Sequence, residues 1–238
     1  MLSRRQTRDF AGEGYVVVPR AVAARLIDAA RREVELLTAR EPPPAGRAGP
    51  HFYFLADAPP EPLRDVLFAS RALAAAEYLI ALGRFEPPEH IQVALNLPPF
   101  DHRPGGPHVD GLAPPEPSGR PGTFTLLAGV FLTDQTREDA GNLWVWPGSH
   151  LRAAAYFRER GPDALITSAP YPPVELGAPR RVTGRAGDLL LAHYLLGHNI
   201  GGNTSPAARQ VVYFRLRREG HRERWRDCLL DPLLEFAP

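Results

Sequence analysis

The order of elements in this sequence predicts an α+β chain, mainly β, whose body is a β-sandwich or jelly roll with flanking N-terminal helices. Two observations carry that expectation. Apolar residues recur at helical spacing in the first third of the chain, whereas short runs of strand type dominate from Ile91 onward, separated by turns of Gly, Pro, Asn and Asp. Helices followed by many short strands is the pattern of α+β folds, and Gly/Pro turns between short strands point to a sandwich or jelly roll. There is no internal repeat and no low-complexity linker, so residues 1–238 read as one domain. With 44% hydrophobic residues the chain can build a real core.

Taken in order, Gly14–Val18 (GYVVV) is a short β-branched run and predicts a strand. Residues 21–39 place Val22, Leu26, Ile27, Ala30, Val34 and Leu37 on one helical face. Residues 41–50, EPPPAGRAGP, predict a loop. Residues 61–83 predict a second helix, ending at Gly83. Strands follow at 91–97, 123–133, 142–146, 181–183, 188–194 and 209–216, with a short helix at 151–161. Trp144 and Trp146 alternate with apolar residues and are expected in the core on one face.

Composition excludes several functions. The net charge is +1, so no basic excess exists to neutralise nucleic-acid phosphates or an anionic membrane. A single cysteine, Cys228, rules out an internal disulfide and Cys-based zinc or iron–sulfur sites, and fits a reducing, cytoplasmic setting. The start MLSRRQTRDF lacks the apolar stretch of a signal peptide, and no apolar run reaches membrane-spanning length. Every Lys+Arg position is Arg, which closes off Schiff-base chemistry and a P-loop lysine. Anions must therefore be held by Arg, by helix ends or by hydroxyls.

The stretch PHVDG sets His108 and Asp110 two residues apart. In extended backbone, residues i and i+2 share a face, so an imidazole and a carboxylate would converge on one point. Alone, the pattern reads more readily as a surface turn. His198 changes that. It closes an apolar strand and opens the loop HNIGGNTSPAAR, which Arg209 ends as the next strand begins. An antiparallel neighbour would carry Arg209 back beside the His198 strand. Two histidines and one carboxylate on one face leave three positions of an octahedral metal open, as in non-heme Fe(II) oxygenases. The planar fork of an Arg suits the far carboxylate of a dicarboxylate co-substrate. The second His-x-acid pair, His221-Arg222-Glu223, lies in the charged run REGHRERWRD and reads as solvated surface.

On GYVVVP (14–19), HVD (108–110), LTDQTREDAGNLWVWPGSH (132–150), AGDLLLAH (186–193) and HNIGGNTSPAAR (198–209), the chain resembles the phytanoyl-CoA dioxygenase-like group of Fe(II)/2-oxoglutarate oxygenases. The resemblance implies a double-stranded β-helix, with His108, Asp110 and His198 as iron ligands and Arg209 anchoring the distal carboxylate of 2-oxoglutarate. It implies Fe(II) as cofactor, with 2-oxoglutarate and O2 as co-substrates. Gln92 matches a position that often contacts the co-substrate. Ile200 stands where some relatives carry a Ser, and Thr125 is expected to supply that hydroxyl instead. Asp110 keeps the carboxylate that halogenating relatives lose, which favours hydroxylation or another oxidation of a small organic molecule. Two readings stand beside this one: a jelly-roll protein that binds metal or ligand without catalysis, and a cupin-like enzyme using another divalent metal. Among lesser residues, His193 is a rival ligand without an Arg at the right spacing. The PGSH turn is expected to brace the rim, and residues 114–122, with Arg120, to form a loop beside the metal.

Overall fold

The computed structural model describes residues 2–56, 58–80, 83–111, 116 and 119–237. Helix α1 (Arg4–Glu13) starts at a capping box: the Ser3 hydroxyl accepts from the Gln6 backbone N–H, and the Gln6 side chain accepts from that of Ser3. Strand β1 (Tyr15–Val18) follows, then α2 (Ala24–Arg40), which buries Leu26, Ile27, Ala30, Val34 and Leu37 as the spacing predicts. Next come β2 (Gly49–Leu55), α3 (Glu61–Phe68), α4 (Arg71–Leu79), β3 (Ile91–Leu97), β4 (Leu126–Phe131) and β5 (Leu143–Val145). The chain finishes with α5 (Ser149–Arg160), α6 (Ala164–Thr167), β6 (Arg180–Arg181), β7 (Leu189–His193), β8 (His198–Ile200), β9 (Arg209–Leu216) and α7 (His221–Leu230).

The strands form two antiparallel sheets. One has six strands in the order β1-β7-β4-β9-β3-β2, the other three in the order β6-β5-β8. This is the mainly antiparallel jelly-roll arrangement with flanking helices. The sheets do not close into a barrel: among the described residues, no strand of one is laddered to a strand of the other.

Alternation sorts the side chains of the larger sheet. Val212, Phe214 and Leu216 of β9, Val93 and Leu95 of β3, and Leu126 and Val130 of β4 face the N-terminal helices and join their buried residues in one core. The opposite face carries Val211 and Tyr213 of β9, Ala94 of β3, and Leu127 and Phe131 of β4. These meet Leu143 and Val145 of β5 and Phe157 of α5 in a second core between the sheets. Phe214 is fully buried, and truncating such a side chain to Ala costs about 3–5 kcal/mol. Gly129 has a packing reason: a Cβ there would lie 2.5 Å from the Tyr213 ring.

Several expectations need correction. The region 41–50 is not all loop, because β2 begins at Gly49 and pairs along its length with β3. The predicted helix over 61–83 is two helices. Ser70 caps the second through a bond from the Ala72 N–H, and residues 81 and 82 lie outside the described residues. His198 lies on its own short strand, β8, which pairs with β5 in the smaller sheet. The neighbours of β9 are β3 and β4, so Arg209 faces the His198 strand from the other sheet instead of pairing with it. Trp146 is buried, whereas Trp144 is half-buried under the Arg181 guanidinium, 5.4 Å from its ring centre.

Candidate metal centre

A cavity of about 920 Å³ opens between the sheets. His108, Asp110, His198, Gln92 and Arg209 all line it. The two histidines are tied backbone to backbone: the His108 N–H donates to the His198 carbonyl at 3.1 Å, in an isolated antiparallel bridge. The Val109 N–H donates to Pro170 O at 2.9 Å. The Gly197 N–H donates to Ser149 Oγ at 2.9 Å, so the PGSH turn braces the entry to β8 as expected. Asn199 ties β8 to the loop before His108 by donating to Gly106 O at 2.8 Å. Beyond Asp110 the chain turns at Gly111, with φ +77°. A Cβ there would sit 2.1 Å from the Gly122 carbonyl oxygen, so only glycine fits.

His108 Nε2 lies 3.4 Å, and His198 Nε2 3.6 Å, from the same oxygen, Asp110 Oδ1. These separations are long for hydrogen bonds. Donors at right angles on an octahedral ion, each about 2.1 Å from it, stand about 3 Å apart. The spacing therefore suits three donors that share an ion, and one ligand atom from each residue lies within 4.8 Å of the others. His198 Nδ1 faces the Leu196 carbonyl at 3.0 Å and must donate there, which turns the Nε2 lone pair toward Asp110. Asp110 Oδ2 is taken by Arg215, whose Nη2 and Nε donate to it at 2.6 and 3.1 Å. One carboxylate oxygen is thus engaged by an arginine, and the other is turned to the histidines.

Charge follows this arrangement. Burial alone would raise the Asp110 carboxyl. The nearby imidazoles of His108 and His198, and the charge of Arg215, outweigh it and hold the group well below the usual carboxylate range. Burial would lower the His198 imidazole, but the hydrogen bond and charge of Asp110 raise it instead. A metal ion takes the neutral imidazole, so any proton on Nε2 must leave before it binds.

Arg209 projects from β9 into the same cavity. It is 3% exposed, with Nη2 donating to the Tyr213 hydroxyl at 2.6 Å and Nε to Gln135 Oε1 at 3.2 Å. Among the described residues its hydrogen-bond partners are neutral, and a buried guanidinium so held suits an anionic ligand. Gln92 is buried on the same cavity wall, across the ladder from Tyr213.

Thr125 does not join them. Its hydroxyl donates to Glu235 at 2.8 Å and accepts from the Arg218 N–H at 2.9 Å, behind the cavity wall. It cannot serve a co-substrate from there. The reading of His221 as solvated surface is also corrected: it is 2% exposed, with ring nitrogens 2.8 Å from Glu235 Oε2 and 3.0 Å from Thr123 Oγ1. His193 is committed to backbone, with Nε2 2.7 Å from Pro232 O and Nδ1 accepting from the Leu195 N–H. Of the stretch 114–122, residues 114, 115, 117 and 118 lie outside the described residues. Glu116 lines the cavity, and Arg120 donates to it at 3.3 Å.

Sequence reasoning missed Arg215 and Tyr213. The signal was present, since Arg209, Val211, Tyr213 and Arg215 alternate along β9 and share one face.

The sequence model of the phytanoyl-CoA dioxygenase family matches residues 10–211. No curated protein matches the chain by sequence. Among solved structures, HygX from Streptomyces hygroscopicus, with nickel and 2-oxoglutarate bound, has a TM-score of 0.64 at 18% identity, covering 92% of this chain and 89% of HygX. The α-ketoglutarate-dependent epimerase SnoN from nogalamycin biosynthesis has a TM-score of 0.62 at 24% identity, covering 88% and 80%. The carbocyclase SnoK from the same biosynthesis has a TM-score of 0.60 at 23% identity, covering 94% and 90%. At these identities the likeness establishes the fold. No described helix is long and apolar enough to cross a membrane.

Proposed function

The chain belongs to the phytanoyl-CoA dioxygenase family, and from that premise we propose that it is an Fe(II)- and 2-oxoglutarate-dependent oxygenase that hydroxylates a small organic molecule. The observation that carries this reading is the convergence of His108, Asp110 and His198 in one cavity with the buried Arg209. His108 Nε2, His198 Nε2 and Asp110 Oδ1 would hold the metal. When bound, iron with 2-oxoglutarate and O2 supplies the oxidising chemistry, and the co-substrate leaves as succinate and CO2.

The remaining work belongs to the chain. Arg209 would hold the distal carboxylate of the co-substrate, and the Tyr213 hydroxyl and Gln135 fix the direction of its fork. Gln92 would offer an amide to the same ligand. Arg215 holds Asp110 turned, so that a single oxygen faces the metal position, and adds to the charges that keep it ionised. Leu127 and Leu143 give the cavity apolar walls that exclude water.

Structural neighbours include an epimerase and a carbocyclase as well as HygX, and SnoN and HygX are solved with nogalamycin RO and hygromycin B. Hydroxylation is preferred here because it needs nothing beyond a C–H bond set against the metal. The test is succinate release from 2-oxoglutarate, followed by NMR with Fe(II) and O2. The wild-type chain is expected to release succinate, and Ala at His108 or Asp110 to abolish it. Equal release by either variant would overturn the assignment.

A further inference from the structure

Building on that reading, we propose that the substrate is an uncharged, rigid fused-ring aromatic molecule seated against a phenylalanine wall on β2, and not an acyl-CoA thioester or a polyhydroxylated sugar. The wall comes from strand alternation. Tyr53 points to the helices, where its hydroxyl donates to Glu41 O at 2.6 Å, so its neighbours Phe52 and Phe54 are left on the cavity side. They are 44% and 58% exposed, their ring centroids are 6.3 Å apart, and Phe54 meets the His90 ring edge-on at 5.7 Å. Pro50, Pro87 and Pro88 extend the same apolar surface. Large aromatic side chains left this open mark a surface meant to be covered. Because this one is continuous with the cavity of His108, Asp110 and His198, its occupant is the substrate.

The polar side of the cavity argues the same way by what it lacks. Arg217 reaches Glu89 at 3.1 Å, Glu116 at 3.5 Å and Glu86 at 3.7 Å, while Arg222 reaches Glu116 at 3.3 Å and Glu86 at 3.8 Å and also bonds Glu89. Arg215 is engaged by Asp110 and His90. Arg209 is reserved for the co-substrate. Among the described residues the arginines lining the cavity are therefore compensated, and none of them is left for the phosphates of a coenzyme A thioester, which need unspent cations. A sugar needs unspent donors and acceptors, and the β2 wall offers none. What remains is apolar contact and ring stacking. At about 920 Å³ the cavity is at the upper end of the roughly 300–1,000 Å³ range for small-molecule sites, with room for several rings beside a co-substrate.

The test is calorimetric titration of the protein loaded with Ni(II) and 2-oxoglutarate, so that binding is read without turnover. The probes are 1,8-dihydroxyanthraquinone, octanoyl-CoA and the aminocyclitol streptamine. The anthraquinone is expected to bind at least tenfold more tightly than the other two. The Phe52→Ala, Phe54→Ala double variant is expected to lose at least tenfold of that affinity and to bind 2-oxoglutarate within twofold of wild type. The corresponding Tyr double variant, which keeps both rings, should restore it. Equal or tighter binding of octanoyl-CoA or streptamine, or an unchanged anthraquinone affinity in the Ala variant, would overturn the substrate class and leave the oxygenase reading intact. Failure of wild type to bind 2-oxoglutarate would overturn both.

Discussion

Two clusters in this molecule carry similar ligand chemistry and face opposite fates. His108, Asp110 and His198 form one; His221, Cys228 and Glu235 form the other. In each, one ligand atom per residue lies within 4.8 Å of the others. The first lines a large cavity, and its histidine nitrogens stand 3.4 and 3.6 Å from the carboxylate oxygen. The second is sealed. His221 and Glu235 touch at 2.8 Å, and the hydroxyls of Thr123 and Thr125 complete their bonding. Burial raises the Cys228 thiol to about 12, so it is no ready thiolate ligand. A donor set alone does not make a metal centre. Separation and access decide, because donors already bonded to each other at contact distance leave no place for an ion.

The contrast can be broken most sharply at the open cluster. Ala at His108, Asp110 or His198 is expected to cut metal affinity beyond the roughly 10–100-fold lost when a residue that merely orients a ligand is removed. For the two histidine variants the melting temperature without metal should change little; dialysis against Fe(II) with metal analysis reads the affinity, and a thermal melt of the metal-free protein reads the stability. Arg215→Gln falls in that 10–100-fold range, because it frees Asp110 to turn. Arg209→Ala leaves metal affinity alone and removes a buried charge partner from the co-substrate. Such truncations cost about 2–5 kcal/mol, so the 2-oxoglutarate Kd should rise by about 30-fold or more.

At the sealed cluster the expectation reverses. Glu235→Gln disrupts a buried hydrogen-bond cluster with His221 and Thr125 and should destabilise the fold by up to about 3 kcal/mol in urea, with iron and 2-oxoglutarate binding unchanged. Lost iron binding in that variant would erase the distinction between the clusters.

A smaller effect concerns His150, buried on α5 with Nε2 against Ala11 O at 3.1 Å. Burial, opposed by that backbone bond, lowers its imidazole to about 4 from 6.5. The unfolded chain therefore binds the proton first as pH falls below about 6.5, and this part of the stability is lost between there and about 4. Between pH 7 and 5 the loss from this group is about 2 kcal/mol. His150→Gln should flatten the pH dependence by that amount in urea melts at the two pH values.

How much of this was legible depended on the physics of each segment. Strands β3 and β9 were read to the residue, because both faces are occupied in strict alternation between two cores. The convergence of His108, Asp110 and His198 was legible because i and i+2 in extended chain share a side, and the His108 and His198 backbones do meet in a bridge. Strand β2 was hidden because GPHFYFL follows a proline loop and has no β-branched residue; pairing with β3 makes it a strand. Helices α3 and α4 merged in the sequence because the break, Ala69-Ser70, has no Gly or Pro. His221 was misread because the charged run around it masks its spacing. His221, Trp225 and Leu229 recur every four residues and form the buried face of α7. Thr125 was misplaced because no local pattern tells which face of a frayed strand end meets the C-terminal segment.

The most direct test of the central claim needs no substrate. The protein is stripped of metal, reloaded with Fe(II) without oxygen, and titrated with 2-oxoglutarate while the visible spectrum is followed, with Arg209→Ala in parallel. The expected result is a saturable metal-to-ligand charge-transfer band that forms at much higher 2-oxoglutarate in the variant. A folded, iron-loaded wild-type protein that shows no band would contradict the assignment of His108, Asp110, His198 and Arg209 to one oxygenase centre.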